Sequence, residues 1–592
     1  MINRSQTTQP MPLKIVGSSS FGISPKIGIE KTYNMYITDG FLANYLGYQS
    51  VVPSSSSEGR GCYASFNLNR LITVFDNNVF TNNIIYNPSI RDYQYQAATI
   101  GSLTTYTNPV YIAENDTGQL AIADGENVYI YDPNQQPSLT DTFTESGAAI
   151  TTSTLATFTN GMPVTFSGSV LPTELTAGTV YFLGLTATPN KYYVYTDYYT
   201  ATIGGNSGTG SIVLTTGSGT VTQYNPEFYI VPNLGFLPTY ITFHDTYFIC
   251  SSGGTNQWRL GIYDSSAQTV AFPPPLTGEL QTKPDQTQAV VRFPSGGNMI
   301  FVFGKTVVEP WFDTGGNLFP YQRNDSFNID YGCLNPATIA SLDEYVVWLG
   351  QNEKSGPIIF ASNGGKPEQI STDGIDGLLY SLYTPQDSQA FLIRQNGHLF
   401  YHINFYTDNI SLFYDFNTKK FYHSCDENMD YFIASAVAFF NEQYYFVSRK
   451  NGNLYAFDTQ YEDYDGEQIP RIRICPTIRM VNAKGLPTQE YFIANDCGFI
   501  LEQGTTNYNV QVNPNGLQAV PNQFTPRVDL RISIDGGQSF GNDQTITLNS
   551  IGDYRNTLRW WQLGLCNEFT PQFRFWNMGK VIASDGTLNI RQ

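Results

Sequence analysis

Charge is scarce in this 592-residue chain, with Asp, Glu, Lys and Arg together making up 14% of it, against roughly 25% in an ordinary soluble domain. Basic residues are the scarcer kind: 31 Lys and Arg stand against 50 Asp and Glu, for a formal net charge of −19. Gripping duplex DNA takes Lys and Arg to displace counterions from phosphates, and no basic run here exceeds a dipeptide such as Lys419-Lys420. The composition therefore argues against a duplex-gripping protein, though not against one that surrounds DNA without holding it. Long apolar runs are also missing, since nowhere do 18 apolar residues stand together, so no membrane-spanning helix and no stable membrane insertion are predicted. The first ten residues, Met1 to Pro10, hold no apolar stretch of the secretory kind, and synthesis and assembly in a cytoplasm are expected. Cysteines are few and scattered: Cys62, Cys250, Cys333, Cys425, Cys475, Cys497 and Cys566, the closest two 22 positions apart. That spacing fits neither a zinc site nor a disulfide framework and reads as small core residues. Of the four histidines, His244, His398, His402 and His423, the pair spaced by four would lie about 13 Å apart on a strand, too far to share a metal ion. No Walker loop or H-E-x-x-H occurs, and no catalytic set, cofactor or metal site is predicted.

Aromatic and turn residues are plentiful. Tyr (41) and Phe (39) dominate the 15% aromatic content, with 52 Gly and 32 Pro. Helix formers are diluted by Tyr, Phe, Thr, Asn and Gly, which points to an all-β chain. A recurring unit is a short strand ending in an aromatic-Asp step: Tyr131-Asp132, Tyr263-Asp264, Tyr414-Asp415 and Phe457-Asp458. The last two are 43 positions apart, close to the span of one four-stranded propeller blade. The clearest unit runs from Gln389 to Ser424 and includes the turn Gln395-Asn396-Gly397, a hairpin signal because both central positions tolerate φ > 0. The next unit, Ile433 to Phe457, repeats the design, and looser copies fall upstream near 60–100, 105–138, 228–275, 287–325 and 336–375. The chain thus reads as an irregular β-propeller of six or seven blades, a form that hides the edges of short sheets.

Two stretches break the rhythm. Residues 139–225 are Thr-, Ser- and Gly-rich with almost no charge and read as a small β-module inserted between blades, where partner contacts are often grafted. From about residue 465 the pattern changes again, and 465–592 reads as a C-terminal β-sandwich-like domain, with a long polar loop at 503–523. The predicted division is 1–59, an N-terminal extended segment joining the propeller; 60–138, the first blades; 139–225, the insertion; 226–464, the remaining blades; and 465–592.

Two local motifs suggest chemistry at first sight. Asp463-Tyr-Asp465-Gly466 resembles the start of a calcium loop, but Ile474 stands where the bidentate Glu is needed, leaving a polar turn. Ser533-Ile-Asp535-Gly-Gly537-Gln-Ser539-Phe540 fits S-x-D-x-G-x-[ST]-aromatic, the Asp-box of sialidases. That motif specifies a hairpin, with Asp535 and the two serines bonding the turn and Phe540 packing beneath, and it is not catalytic. The arginine cluster and Tyr–Glu pair of a sialidase cannot be placed on the blades. The acid pair of a glycosidase stays open, with 50 carboxylates to draw on.

Three places together resemble one family. They are Lys31-Thr-Tyr-Asn34-Met35-Tyr36 followed by Leu46-Gly47-Tyr48; the Asp465-Gly466-Glu-Gln-Ile469-Pro470 step; and the ending, Leu530 to Gly541, Arg559-Trp560, Phe573-Arg574-Phe575 and Leu588 to Arg591. They are similar to the tail hub, or nozzle, of short-tailed double-stranded-DNA bacteriophages, also called the packaged-DNA stabilisation protein. The resemblance implies a structural virion protein and no enzyme. It implies a hexamer below the portal-adaptor (head-to-tail connector), with tail fibres or spikes docked nearby and a tail plug or needle as a further partner. The ring would close the tail channel after packaging and conduct DNA at ejection without tight binding. The 139–225 module departs from the family pattern. The alternatives are a receptor- or glycan-binding tail fibre protein and a propeller glycosidase.

Overall fold

Between residues 59 and 458 the strands outside one inserted barrel pair into seven antiparallel sheets. The computed structural model describes residues 8–22, 29–52, 58–87, 92–145, 147–153, 156–294, 297–316, 319–326, 329–458, 461, 463–482, 484–503, 508–513, 516–521, 526–548, 555–576, 578 and 580–591. Blade 1 spans 59–102, blade 2 111–131 with 228–230, blade 3 238–279, blade 4 287–323, blade 5 332–369, blade 6 388–424, and blade 7 434–458 with 47–52.

Alternation along each strand sends successive side chains to opposite neighbours. In blade 1, Leu71 and Phe75 pack on Tyr445 and Leu454 of blade 7, while Ile72 and Val74 pack on Leu120 and Ile122 of blade 2. Ile130 meets Ile241 and Phe248 between blades 2 and 3, and Trp258 meets Val302 and Trp311 between blades 3 and 4. Phe301 and Phe303 meet Trp348 between blades 4 and 5, and Val347 and Leu349 meet Leu399 and Ile403 between blades 5 and 6. Phe400 and Phe413 meet Phe446 and Phe457 between blades 6 and 7. Each core is shared by two adjacent blades, and the last returns to the first, so the propeller has seven blades.

The aromatic-Asp step has a local cause. At the end of a blade's third strand the Asp carboxylate takes up turn N–H groups: Asp415 Oδ1 accepts from Asn417 N at 2.9 Å, and Asp264 Oδ1 from Ser266 N at 2.9 Å and Ala267 N at 3.1 Å. This is the Asx turn, which lets the chain reverse into the fourth strand. At the Asn396-Gly397 turn, φ is +49° and +82°, the backbone that a two-residue hairpin needs.

The ring closes with a strand from outside the run of blades. Gly47–Val52 pairs antiparallel with Leu454–Asp458, Tyr48 opposite Phe457, and becomes the fourth strand of blade 7. The chain then enters blade 1 directly, so blades 1 and 7 are fastened by one segment.

Blade 2 is interrupted before its fourth strand, Phe228–Ile230. The intervening chain forms a closed six-stranded barrel from Thr140–Glu145 to Ser218–Gln223. Phe143, Phe158, Val164, Phe166, Leu183 and Val221 fill it, and closure leaves no strand edge unpaired. Its ends meet: Gln223 N donates to Leu139 O at 2.8 Å, and Ser138 Oγ bonds Asn225 Oδ1 at 2.5 Å. We propose that 139–225 is a separable unit. Replacing it with a short Gly-Ser bridge is then expected to leave a soluble propeller melting near the parent, as followed by thermal unfolding; an insoluble product would show that the barrel is integral.

Both chain ends build the region beyond the ring. Blade 6 does not stop at its fourth strand, Lys420–Ser424. The sheet continues through Lys31–Tyr33, Arg471–Ile474, Glu568–Trp576, Arg527–Ser533 and Gln544–Thr547. A second sheet joins Gln9–Leu13, Gly586–Arg591, Phe492–Gln503, Val581–Ala583, Phe41–Asn44 and Met35–Thr38. One core lies between the two, including Met35, Leu42, Phe499, Leu530, Phe573 and Leu588. Arg473, fully buried, fastens the N-terminal segment, donating from Nε to Ile15 O at 2.8 Å and from Nη1 to Ser18 O at 3.0 Å, and pairing with Glu30 at 2.5 Å. The stretch 503–523, expected as a long loop, contains instead the hairpin Tyr508–Asn513 and Gly516–Pro521. A polar composition alone does not separate a loop from a hairpin.

Candidate functional site

The sequence-predicted groups fall at separate places. Ser533, Asp535, Gly537, Ser539 and Phe540 follow the strand Arg527–Ser533. Asp535 Oδ1 accepts from Ser533 Oγ at 2.5 Å, Gln538 N at 2.9 Å and Ser539 N at 3.0 Å, and Oδ2 from Ser539 Oγ at 2.5 Å. Ser533 Oγ in turn accepts from Gly537 N at 2.8 Å. Gly536 and Gly537 take φ of +72° and +92°, which side chains other than glycine resist. The hydrogen bonds from Ser533 and Ser539 hold the Asp535 carboxyl far below its usual range, so it stays an acceptor. All the described contacts of this carboxylate close its own turn.

The turn at Asp463-Tyr464-Asp465-Gly466 links the two-residue strands Asp463–Tyr464 and Glu467–Gln468, with φ of +55° and +93° at Asp465 and Gly466. Asp465 Oδ1 accepts from Ser50 N at 3.1 Å and Ser50 Oγ at 2.8 Å, tying the turn to the closing strand.

The histidines are separate too. His398 Nδ1 meets Asp415 Oδ2 at 3.0 Å and Nε2 meets Thr38 Oγ1 at 3.1 Å. His244 bonds Tyr321 Oη at 2.8 Å, and His423 bonds Ser19 Oγ at 2.8 Å. His402 is fully buried, and neither ring nitrogen has a hydrogen-bond partner among the described residues. Among the described residues no three His, Cys, Asp or Glu side chains are placed to share a metal ion. No helix there is long and apolar enough to cross a membrane.

A propeller's usual functional feature is its axial channel. Here strands of blades 1, 2, 3, 5, 6 and 7 border a cavity of about 330 Å³, lined among others by Tyr63, Tyr111, Tyr240, Gln389, Phe391 and Ser435. Tyr111 and Tyr240 pack with ring centroids 4.2 Å apart. Arg60, a cation at this wall, is turned to structural use. Its Nε donates to Asn108 O at 2.7 Å, Nη1 to Asp76 O at 2.6 Å and Thr105 O at 2.8 Å, and Nη2 to Thr107 O at 2.7 Å. A duplex, whose major groove alone is about 12 Å wide, has no passage through such a cavity.

A second cavity, of about 340 Å³, lies where the barrel meets blade 3 and is lined by Asp197, Tyr199, Asn233, Arg259 and Phe272 among others. Contacts across the junction hold the barrel there: Tyr198 Oη donates to Asp264 Oδ2 at 2.9 Å, Thr159 Oγ1 to Ser266 O at 2.9 Å, and Gln223 Nε2 to Gln268 Oε1 at 3.0 Å. Sequence reading missed this crevice because its walls come from two units. Its only local trace is an Arg inside the strand Gln257–Asp264, next to Trp258.

The model of the family described as bacteriophage P22 Gp10, beta-propeller, matches residues 145–462, just over half of the chain. The chain belongs to this family of phage packaged-DNA stabilisation proteins. The matched range opens at the end of the barrel's first strand and ends just after blade 7, so the P22 Gp10 family signal lies mainly on the propeller. Membership makes this a phage tail protein of the virion; the segments around Asn34, Gly47 and Leu530 to Arg591 lie outside the matched range. No curated protein matches the chain in sequence. Among solved structures, the WD40 β-propeller domain of Doa1 is 9% identical, with 71% of this chain and 99% of that chain covered, at a TM-score of 0.33. The N-terminal domain of Nup159 is 9% identical, covering 71% and 96%, at 0.34. BamB from Moraxella catarrhalis is 7% identical, covering 72% and 94%, at 0.28. TM-scores this low carry no argument.

Proposed function

We propose that the chain is the tail hub, or nozzle, subunit of a short-tailed phage. Several copies, six by the family resemblance, form a ring below the portal-adaptor that retains packaged DNA and conducts it at ejection. Tail fibres or spikes, and a plug or needle, dock on the assembly. Family membership of the propeller supports the tail role. The observation that carries the ring is the small size of the cavity among the blades: a chain of this family that guides DNA has no room for a duplex in 330 Å³, so the proposed path runs between subunits. The net charge of −19 suits a conduit, because each tight phosphate contact would trap a sliding polyanion, and like charge keeps it off the wall within the ~8 Å screening length of physiological salt.

Mass photometry and negative-stain imaging of the purified chain with its adaptor test the ring. The expected result is a species with the mass of six 66.1 kDa chains and an axial hole. The same preparation is expected to show negligible duplex binding at about 0.15 M salt. Monomers only, or submicromolar duplex affinity at that salt, would overturn the proposal.

The chain is proposed to have no hydrolytic role. Asp535→Ala is expected to lower the melting temperature, through loss of the turn's acceptor, and to change no glycosidase activity. Because its folded-state pKa is depressed, the Asp535 contribution is present above the ordinary Asp pKa of about 3.9 and is lost as pH falls through and below it. A glycosidase activity abolished in this variant at unchanged melting temperature would favour an enzyme.

A further inference from the structure

The arginines of this acidic chain are almost all engaged where the structure describes them. Arg60 and Arg473 are buried among carbonyl groups, and Arg323, Arg394, Arg449, Arg479, Arg531 and Arg559 pair with carboxylates. Arg259 differs. It is half-buried at the crevice between barrel and blade 3 and makes no ion pair among the described residues. Its Nη2 reaches Gln257 Oε1 at a long 3.4 Å. Its Nε is buried with no hydrogen-bond partner among the described residues. Burial lowers its pKa with no carboxylate to offset the effect. The guanidinium lies over the Phe236 ring, 5.2 Å from the centroid, which supports its plane. An unmade hydrogen bond on a buried donor atom is costly, and the group that best meets a guanidinium fork is a planar carboxylate bound through two parallel N–H donors.

We propose that this crevice binds one acidic sugar unit, a carboxylate-bearing pyranose of the uronic acid type, with its carboxylate on Arg259. The site extends beyond the tail-hub function and does not depend on it. Volume, walls and polarity select the class. The cavity of about 340 Å³ is at the small end of ligand pockets. Tyr199 and Phe272 offer ring surface to the C–H faces of a pyranose, and Asp197 and Asn233 offer polar groups to its hydroxyls. A peptide carboxylate is the less suitable ligand, because peptide capture at a sheet uses a free strand edge. The strand Gln257–Asp264 has none beside Arg259: it pairs with Tyr247–Ser252 on one side, and Thr277–Glu279 covers the other with Thr277 opposite Arg259. The barrel supplies Asp197 and Tyr199 while blade 3 supplies Arg259 and Phe272, so the insertion completes a site that neither unit has alone.

The test titrates the full chain with methyl glucuronide and, separately, methyl glucoside, which differ at the carboxylate, by saturation-transfer NMR and calorimetry. The expected result is saturable glucuronide binding at millimolar or lower concentration, at least about tenfold tighter than the glucoside and weakened by salt. Arg259→Gln is expected to remove that preference, and Arg259→Lys to keep part of it, with unchanged melting temperature in both. The comparison of the two glycosides on the parent protein stands even if a variant fails to fold. Equal binding of the two glycosides, no glucuronide binding at millimolar concentration, or an Arg259→Gln variant that keeps the preference would overturn the proposal. So would an acetylated dipeptide binding at Arg259 as tightly as the glucuronide.

Discussion

Tyr48→Ala is expected to destabilise the propeller by roughly 3–5 kcal/mol, the cost of deleting a large buried aromatic side chain. Tyr48 is 2% exposed and sits at the seam where the ring closes. Its ring stacks on Tyr464 at 4.3 Å and meets Tyr455 at 5.1 Å, Phe446 at 5.3 Å and Phe432 at 5.9 Å edge-on. Its carbonyl accepts from Asp465 N at 2.9 Å. The substitution therefore removes the anchor of the one strand that joins blade 7 to the segment entering blade 1. Tyr48→Phe keeps the packing and is expected to lose much less. Removing the chain before Glu58 is the stronger version. It uncovers Leu454–Asp458 as an edge strand, and an uncovered edge pairs with other chains. The expected product is aggregated protein, against soluble protein for the point variants. Denaturant unfolding of Tyr48→Ala and Tyr48→Phe measures the effect; parent-like midpoints for Tyr48→Ala would show that the seam is not held there.

Acid is expected to weaken the fold through His402. The ring is fully buried, with Phe391 and Phe432 edge-on at 4.7 and 4.8 Å and Tyr45 and Phe413 at 6.0 and 6.1 Å. Burial pushes its pKa down to about 3, against about 6.5 in an unfolded chain. Between those values the unfolded chain takes up a proton at this position and the folded one does not. Stability from this group is thus full above about pH 6.5 and falls as pH drops toward 3. At about 1.4 kcal/mol per tenfold difference in proton affinity, the loss from pH 7 to pH 4 is on the order of 3 kcal/mol. His402→Leu has nothing to protonate. At pH 7 the variant is expected to be at least as stable as the parent, since two buried nitrogens without partners disappear with the imidazole. At pH 4 it is expected to exceed the parent by that margin. Unfolding midpoints measured across this range check the difference; parallel pH profiles for parent and variant would remove His402 from the acid response.

What the amino-acid sequence determined by itself is local. Strand alternation, the Asn396-Gly397 turn, the aromatic-Asp steps and the Asp535 hairpin depend on backbone preferences and hydrogen bonds within a few residues, so they are written where they occur. The propeller followed from repeating those units, and the barrel's ends follow the turn-rich edges of a charge-poor stretch. Tertiary structure alone decided the rest. Nothing in Gly47–Val52 says that its partner is Leu454–Asp458, because ladder hydrogen bonds join backbone groups that every residue carries. The same holds for Lys31–Tyr33, which extends blade 6 toward the C-terminal strands. The blade count waited on that closure, since a blade completed from the other end of the chain does not show in a repeat. Burial of His402 without a partner and of Arg259 without a carboxylate are likewise properties of packing. In sequence each is one of several polar residues in a mixed strand, and only the surrounding elements decide whether it faces water, a counterion or nothing.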